Sequence, residues 1–153
     1  SLENLDIRDM KEEDIDRIYE IEKSCFTDYW SKALILNSFR LDYNFIKVLT
    51  VNEQIVAYIT FSIVREESEL LSIAVLEEYR NRRLASRLLE EMFRVCEENK
   101  VKEIFLEVRE SNLSAYRLYR EHGFVHIGMR KDYYTDPVEN AVLMNKKLDG
   151  CVG

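Results

Sequence analysis

The order of apolar patterns predicts an α/β fold, a mixed and mostly antiparallel sheet with about four helices against it. Three observations carry that expectation. Seven short runs alternate apolar and polar residues as strands do, four others repeat apolar residues at helical spacing, and the two kinds follow each other as β-α-α-β-β-β-α-β-α-β-β. Antiparallel hairpins are therefore interrupted by a β-α-β crossover. At such a crossover two parallel neighbours can part and admit a ligand, as at the switch points of open α/β sheets.

The elements follow in order. Leu5 and Ile7 mark a short first strand, and Asp9 with Glu12 three positions later reads as a helix start. Ile15, Ile18 and Tyr19, with Ile21 beside them, form an apolar stripe, and a second helix is expected from Ser31 to about Leu41 with Leu34, Ile35, Ser38 and Phe39 on its core face. Strands over 45–51 and 55–64 flank Asn52-Glu53-Gln54, a hairpin turn without glycine. Glu66-Glu67-Ser68 should then turn the chain into a strand over 69–75. After Arg80 a helix carries Leu84, Leu88, Met92 and Val95 inward. Strand 104–108, helix 112–121 and strands near 124–134 and 141–147 complete the reading.

With 153 residues the chain is expected to form one domain over 1–149 and a short tail over 150–153. Hydrophobic residues at 46% and charged residues at 33% fit a soluble globular protein. No apolar run reaches the length of a membrane span and the acidic start does not resemble a signal peptide, so the cytoplasm is expected and a membrane partner is not. Cys25, Cys96 and Cys151 lack the spacing of a disulfide framework or a zinc site, and no metal is expected. A net charge of −7 argues against nucleic acid as a direct partner and mildly favours amines or basic protein tails.

Chemistry concentrates in the stretch from Glu107 to Tyr119 and on to Gly123-Phe124. A strand ends in a polar break, Ser111 or Asn112 can cap the helix that follows, and Gly123 can leave it. A carboxylate at the strand end and a phenol at the helix end can then converge as base and acid for proton transfer. Upstream, Arg80, Arg82, Arg83 and Arg87 gather at a helix start. Cations there oppose the helix dipole unless an anion binds, which points to a phosphorylated cofactor.

Ile73-Ala74-Val75, the string from Tyr79 to Leu89, Leu106-Glu107-Val108-Arg109, Ser111-Asn112, Ala115, Leu118-Tyr119 and Gly123-Phe124 together resemble the acyl-CoA-binding half of the GNAT N-acetyltransferase superfamily. Within it the similarity is strongest to the RimI-type ribosomal-protein-alanine N-acetyltransferases, and it extends from Ile7-Arg8 to Met144. The resemblance implies the GNAT fold with its splayed parallel pair, acetyl-CoA as acetyl donor, and the N-terminus of a protein, such as a ribosomal protein, as acceptor. It also implies roles for particular residues. Glu107 would accept the amine proton and Tyr119 would protonate the departing thiolate. Ile73, Ala74 and Val75 would pair with the pantetheine arm, and an N–H near Val75 would polarise the thioester carbonyl. Arg80, Asn81, Arg82, Arg83, Leu84, Ala85 and Ser86 would hold the pyrophosphate, and Asn112 would touch the arm while capping its helix. Phe26 and Trp30, followed by Ser31, match an acceptor-side turn that lacks its usual proline, and Tyr133 with Tyr134 match a tract lying along the acceptor peptide.

The loop departs from the family pattern, because Arg83 stands where that pattern has its first glycine. Arginine is expected to keep the backbone N–H groups available only with an ordinary φ and an outward side chain. Two other readings remain open: a small-amine acetyltransferase acting on polyamines or amino sugars, and a non-catalytic acyl-CoA-binding module.

Overall fold

The computed structural model describes residues 4–148; the expected tail, with Cys151, lies outside them. Seven strands and four helices occur in the expected order: β1 (Leu5–Asp9), α1 (Ile15–Cys25), α2 (Lys32–Phe39), β2 (Asn44–Val51), β3 (Gln54–Val64), β4 (Glu67–Val75), α3 (Leu84–Glu98), β5 (Glu103–Arg109), α4 (Leu113–Glu121), β6 (Val125–Thr135) and β7 (Val138–Lys147). The strands hydrogen-bond in the sequence β1-β2-β3-β4-β5-β7-β6, and β4 with β5 is parallel. The chain falls into two compact units. One takes the residues up to Ser62 with Leu71–Met92, the other takes Ile63–Leu70 with the chain from Phe93 on.

In the first unit β1, β2 and β3 form an antiparallel meander. Asn52 and Glu53 both have positive φ (51° and 68°) and link Val51 to its partner Gln54, so the hairpin has a two-residue turn of the primed kind without glycine. Ile18 and Ile21 of α1, Ile35 of α2 and Ile46, Val48, Ile55, Tyr58 and Ala74 of the strands bury one another with Met10. Fully burying each such side chain contributes about 1.5–3 kcal/mol. Ser31 caps α2 by accepting the Leu34 N–H at 3.2 Å. Leu34 itself is 53% exposed, contrary to the stripe expected for α2, which is too short to bury a wide face.

Asp9 does not start a helix. It closes β1, and its carboxylate meets Lys47 at 2.6 Å. Asp14 takes over the capping role: its carboxylate accepts the Lys11 N–H at 2.8 Å and both Nη atoms of Arg8, at 2.8 and 3.1 Å. Burial alone would raise the Asp14 pKa, but the Arg8 guanidinium and the Lys11 N–H outweigh it and hold the carboxyl below its ordinary value.

In the second unit β4 enters two residues earlier than expected, because the turn is made by Arg65 at φ 57° and Glu66. Glu67, Ser68 and Glu69 therefore pair in parallel with Glu103, Ile104 and Phe105. β5 continues antiparallel to β7 through Arg109↔Ala141, so Glu107 sits inside a strand and not at its end. Helix α4 leaves through a double hydrogen bond: Gly123 N–H to Arg120 O at 3.1 Å and Phe124 N–H to Tyr119 O at 2.9 Å. That pattern, with Gly123 at φ 92°, is a Schellman motif, and the Tyr119 and Phe124 rings meet edge to face at 5.8 Å across it. Among the described residues β6 lies at the sheet edge and pairs only with β7, with breaks of register between His126 and Gly128 and between Arg130 and Tyr134.

Candidate active site

The arginine-rich loop belongs to the first unit. Arg83 adopts φ 61°, the left-handed conformation that a glycine would take without strain, and its carbonyl accepts the Arg87 N–H at 3.1 Å to open α3. The expectation of an ordinary φ is therefore corrected. The backbone keeps a glycine's course through the loop at a cost of about 1–2 kcal/mol. The first N–H groups of α3, on Leu84 and Ala85, have no acceptor within the helix, which is the donor set an anion needs. Asn81 also has positive φ, at 63°.

The four arginines do not act alike. Arg80 is engaged at the end of β4: its Nε donates to the Val75 carbonyl at 3.0 Å, and Nη2 reaches Cys25 Sγ at 3.5 Å. Arg82 lies over the Tyr79 ring at 5.4 Å, while Arg83 and Arg87 are exposed. Ser86 is half-buried in the first turn. Ile73 and Val75 are half-buried on β4, with Ala74 buried between them. A loop of this backbone course, with basic side chains in solvent beside open N–H groups, fits a pyrophosphate.

Phe26 and Trp30 pack against the apolar core of the first unit, so the aromatic turn is fixed in place. What fixes it was not singled out from the sequence. Glu22 is only 5% exposed, accepts the Trp30 N–H at 3.0 Å and is hydrogen-bonded by the Tyr58 hydroxyl. Burial raises its pKa, and the Tyr58 and Trp30 donors oppose that rise. A signal was present: Glu22 follows Ile15 by seven and Ile18 by four, which places a carboxylate on the apolar face of α1.

The second unit holds Glu107, Tyr119, Asn112, Tyr133 and Tyr134. Glu107 is half-buried, with a side chain 26% exposed, and its Oε1 lies 3.5 Å from Arg130 Nε. The Tyr133 hydroxyl is within hydrogen-bonding reach of the same carboxylate, which pushes the phenol pKa upward. Tyr119 is 6% exposed and lies close to Tyr134; burial first and Tyr134 second push its phenol well above the ordinary value. Tyr133 and Tyr134 meet edge to face at 5.1 Å. Glu107 and Tyr119 thus each stand with one member of a contacting tyrosine pair.

Asn112 caps α4 by accepting the Ala115 N–H at 3.2 Å, which settles the choice between Ser111 and Asn112. Ser111 instead donates its N–H to Glu139 at 2.6 Å. Arg109 ties this corner together. It donates to the Pro137 carbonyl at 3.0 Å, the Asp136 carbonyl at 3.2 Å and Glu139 at 3.2 Å, and it lies over the Tyr134 ring at 4.3 Å. Among the described residues no cluster of His, Cys, Asp or Glu is arranged to hold a metal ion, and no helix is long and apolar enough to cross a membrane.

Comparison with known proteins fits this geometry. The model of the acetyltransferase (GNAT) family matches residues 15–124. The chain is 36% identical to the ribosomal protein bS18-alanine N-acetyltransferase of Haemophilus influenzae, over 86% of this chain and 90% of that one. The crystal structure of the ribosomal-protein-S18-alanine N-acetyltransferase from Escherichia coli superposes with a TM-score of 0.90 at 29% identity, covering 97% of this chain and 96% of that one. The crystal structure of Ard1 from Thermoplasma volcanium gives 0.88 at 33% identity, over 94% and 97%. The chain belongs to the acetyltransferase (GNAT) family and is an acetyl-CoA-dependent N-acetyltransferase.

Proposed function

We propose that the protein acetylates the α-amine at the N-terminus of another protein, and that a ribosomal protein beginning with alanine is the acceptor. The observation that carries this reading is the setting of Glu107, half-buried and framed by Tyr133 and Arg130 on β6. The names of the similar bacterial enzymes point to the same acceptor class. Free thiols at Cys25 and Cys96 suit the cytoplasm.

Acetyl-CoA supplies the activated acetyl group. The open N–H groups of Leu84 and Ala85, with Asn81, Arg82, Arg83 and Ser86 around them, hold its pyrophosphate, and the backbone of Ile73, Ala74 and Val75 pairs with its arm. Arg80 acts there through the Val75 carbonyl. In the second unit Asn112, whose Oδ1 caps α4, is a contact for acetyl-CoA. Phe26 and Trp30 give the first unit an aromatic surface, and Tyr133 and Tyr134 give the second one of its own; each suits contact with a short peptide backbone.

At neutral pH an α-amine is largely protonated, so it must lose a proton before its lone pair can attack. Glu107 takes that proton. Tyr119 serves the leaving sulfur. Its pKa lies above that of a thiol, so it stabilises the thiolate by donating a hydrogen bond and does not hand over its proton outright.

Peptides with a free Ala or Ser terminus, the same peptides blocked at that terminus but carrying an internal Lys, and spermidine would be compared as acceptors. Activity is expected on the free termini and almost none on the other two. Equal acetylation of blocked and free peptides would overturn the N-terminal assignment.

A further inference from the structure

Glu69 has no part in the chemistry above, yet it stands beside Glu107. Parallel pairing sets Glu69 against Phe105, and paired residues project to the same face of a sheet. Glu107 is two residues beyond Phe105 and shares that face. From β6, Arg130 approaches Glu107 to 3.5 Å and Tyr133 reaches it with its hydroxyl. The charged and titratable groups facing Glu69 are therefore Glu107 from β5 with Arg130 and Tyr133 from β6. Two carboxylates against one guanidinium leave the patch one positive charge short. Glu69 is exposed as a residue; partial burial of its carboxyl first, and the Glu107 charge second, raise its pKa against the opposing pull of Arg130, in keeping with that shortfall.

We propose that Glu69 is a specificity-determining residue of the acceptor site: with Glu107 and Arg130 it forms a patch lacking one cation, which selects an acceptor that presents its amine as an ammonium. The inference rests on the reading of Glu107 as proton acceptor. The incoming α-ammonium supplies the missing charge and donates to both carboxylates. Its N–H bond then breaks toward Glu107, where an O–H bond forms. The freed lone pair attacks the thioester carbonyl, the N–C bond forms, the C–S bond breaks with its electron pair leaving on the CoA sulfur, and the second N–H proton passes to that thiolate. Glu69 keeps its charge throughout and forms no bond. Its effect falls on capture of the acceptor, so it belongs in KM for the peptide and not in kcat.

The experiment is steady-state kinetics of the full chain with an Ala-terminated peptide, for the wild type, Glu69→Gln, Glu69→Asp and Glu107→Gln, between about pH 5 and pH 8. Glu69→Gln is expected to raise the peptide KM roughly three- to tenfold, the scale of one partly exposed charge pair. Its kcat and its KM for acetyl-CoA should stay within about twofold of wild type, and Glu69→Asp should recover most of the loss. The gap between Glu69→Gln and wild type should close as pH falls through the raised Glu69 pKa, because the wild-type carboxyl is then neutral as well. A purely structural loss would not follow pH in that way. An unchanged peptide KM, or a rise that is the same at every pH, would overturn the inference while leaving Glu107 in its role. A wild-type pH profile in Glu107→Gln would overturn the reading beneath it.

Discussion

At the scale of the residue, Arg83 shows how a backbone can keep a conformation that its side chain opposes. Its φ of 61° costs about 1–2 kcal/mol in an L-residue, and glycine would avoid that cost while adding about 0.5–1 kcal/mol of lost freedom on folding. Arg83→Gly is therefore expected to leave the melting temperature unchanged or to raise it by about 2–4 °C. Calorimetry with CoA should still show binding, with a weaker dependence on salt, because one charge next to the phosphates has gone while the N–H donors stay. A clear fall in melting temperature would show that the arginine side chain stabilises the loop in a way that its exposure does not indicate. The sequence marked the loop as a candidate anion site. Its conformation was not, because the residue type argued for the wrong φ and only the surrounding chain could enforce the right one.

At the scale of the element, the end of α4 positions the phenol. The Phe124 N–H binds the Tyr119 carbonyl and the two rings meet, so the turn through Gly123 sets where the Tyr119 side chain can lie. A Cβ at Gly123 would fall 2.5 Å from Lys146 Nζ, a flexible end that can move, but φ 92° would remain strained. Gly123→Ala should destabilise the protein by about 1 kcal/mol or more and lower kcat with little change in KM for acetyl-CoA. Tyr119→Phe should lower kcat by roughly tenfold to a thousandfold without the stability loss, which separates a misplaced phenol from a missing one. Equal stability losses with unchanged kcat in both variants would return Tyr119 to a packing role. Gly123 and Asn112 announced both ends of this helix. The start of β4 was harder to read, because Arg65 takes the left-handed turn position that sequence reasoning reserves for Gly or Asn.

At the scale of the whole molecule, two buried carboxyls give stability opposite pH dependences. Asp14, held below its ordinary value by Arg8, contributes stability above the unfolded pKa and loses it as pH falls through the folded one. Glu22, raised by burial, contributes stability that is full below the unfolded pKa and is lost as pH rises through the folded one. Glu22→Gln cannot titrate, so its urea midpoint should decline less than that of the wild type as pH rises from about 4 to 8. Parallel declines would mean that Glu22 does not titrate in that window. The topology and most helix faces were legible because apolar period and crossover order leave few alternatives. Glu22 showed only as a carboxylate on the apolar face of α1, and Glu69 not at all, since the partners of each come from strands distant in sequence. The edge strand carries one more consequence. Val125, Ile127 and Met129 are exposed along β6, the kind of strand that recruits other chains into fibres. Its two register breaks twist the ladder away from a flat edge, and Arg130, Lys131 and Asp132 place charge along it. The irregularity around Tyr133 thus also guards an exposed apolar edge, and straightening it is expected to favour association of the chain with itself.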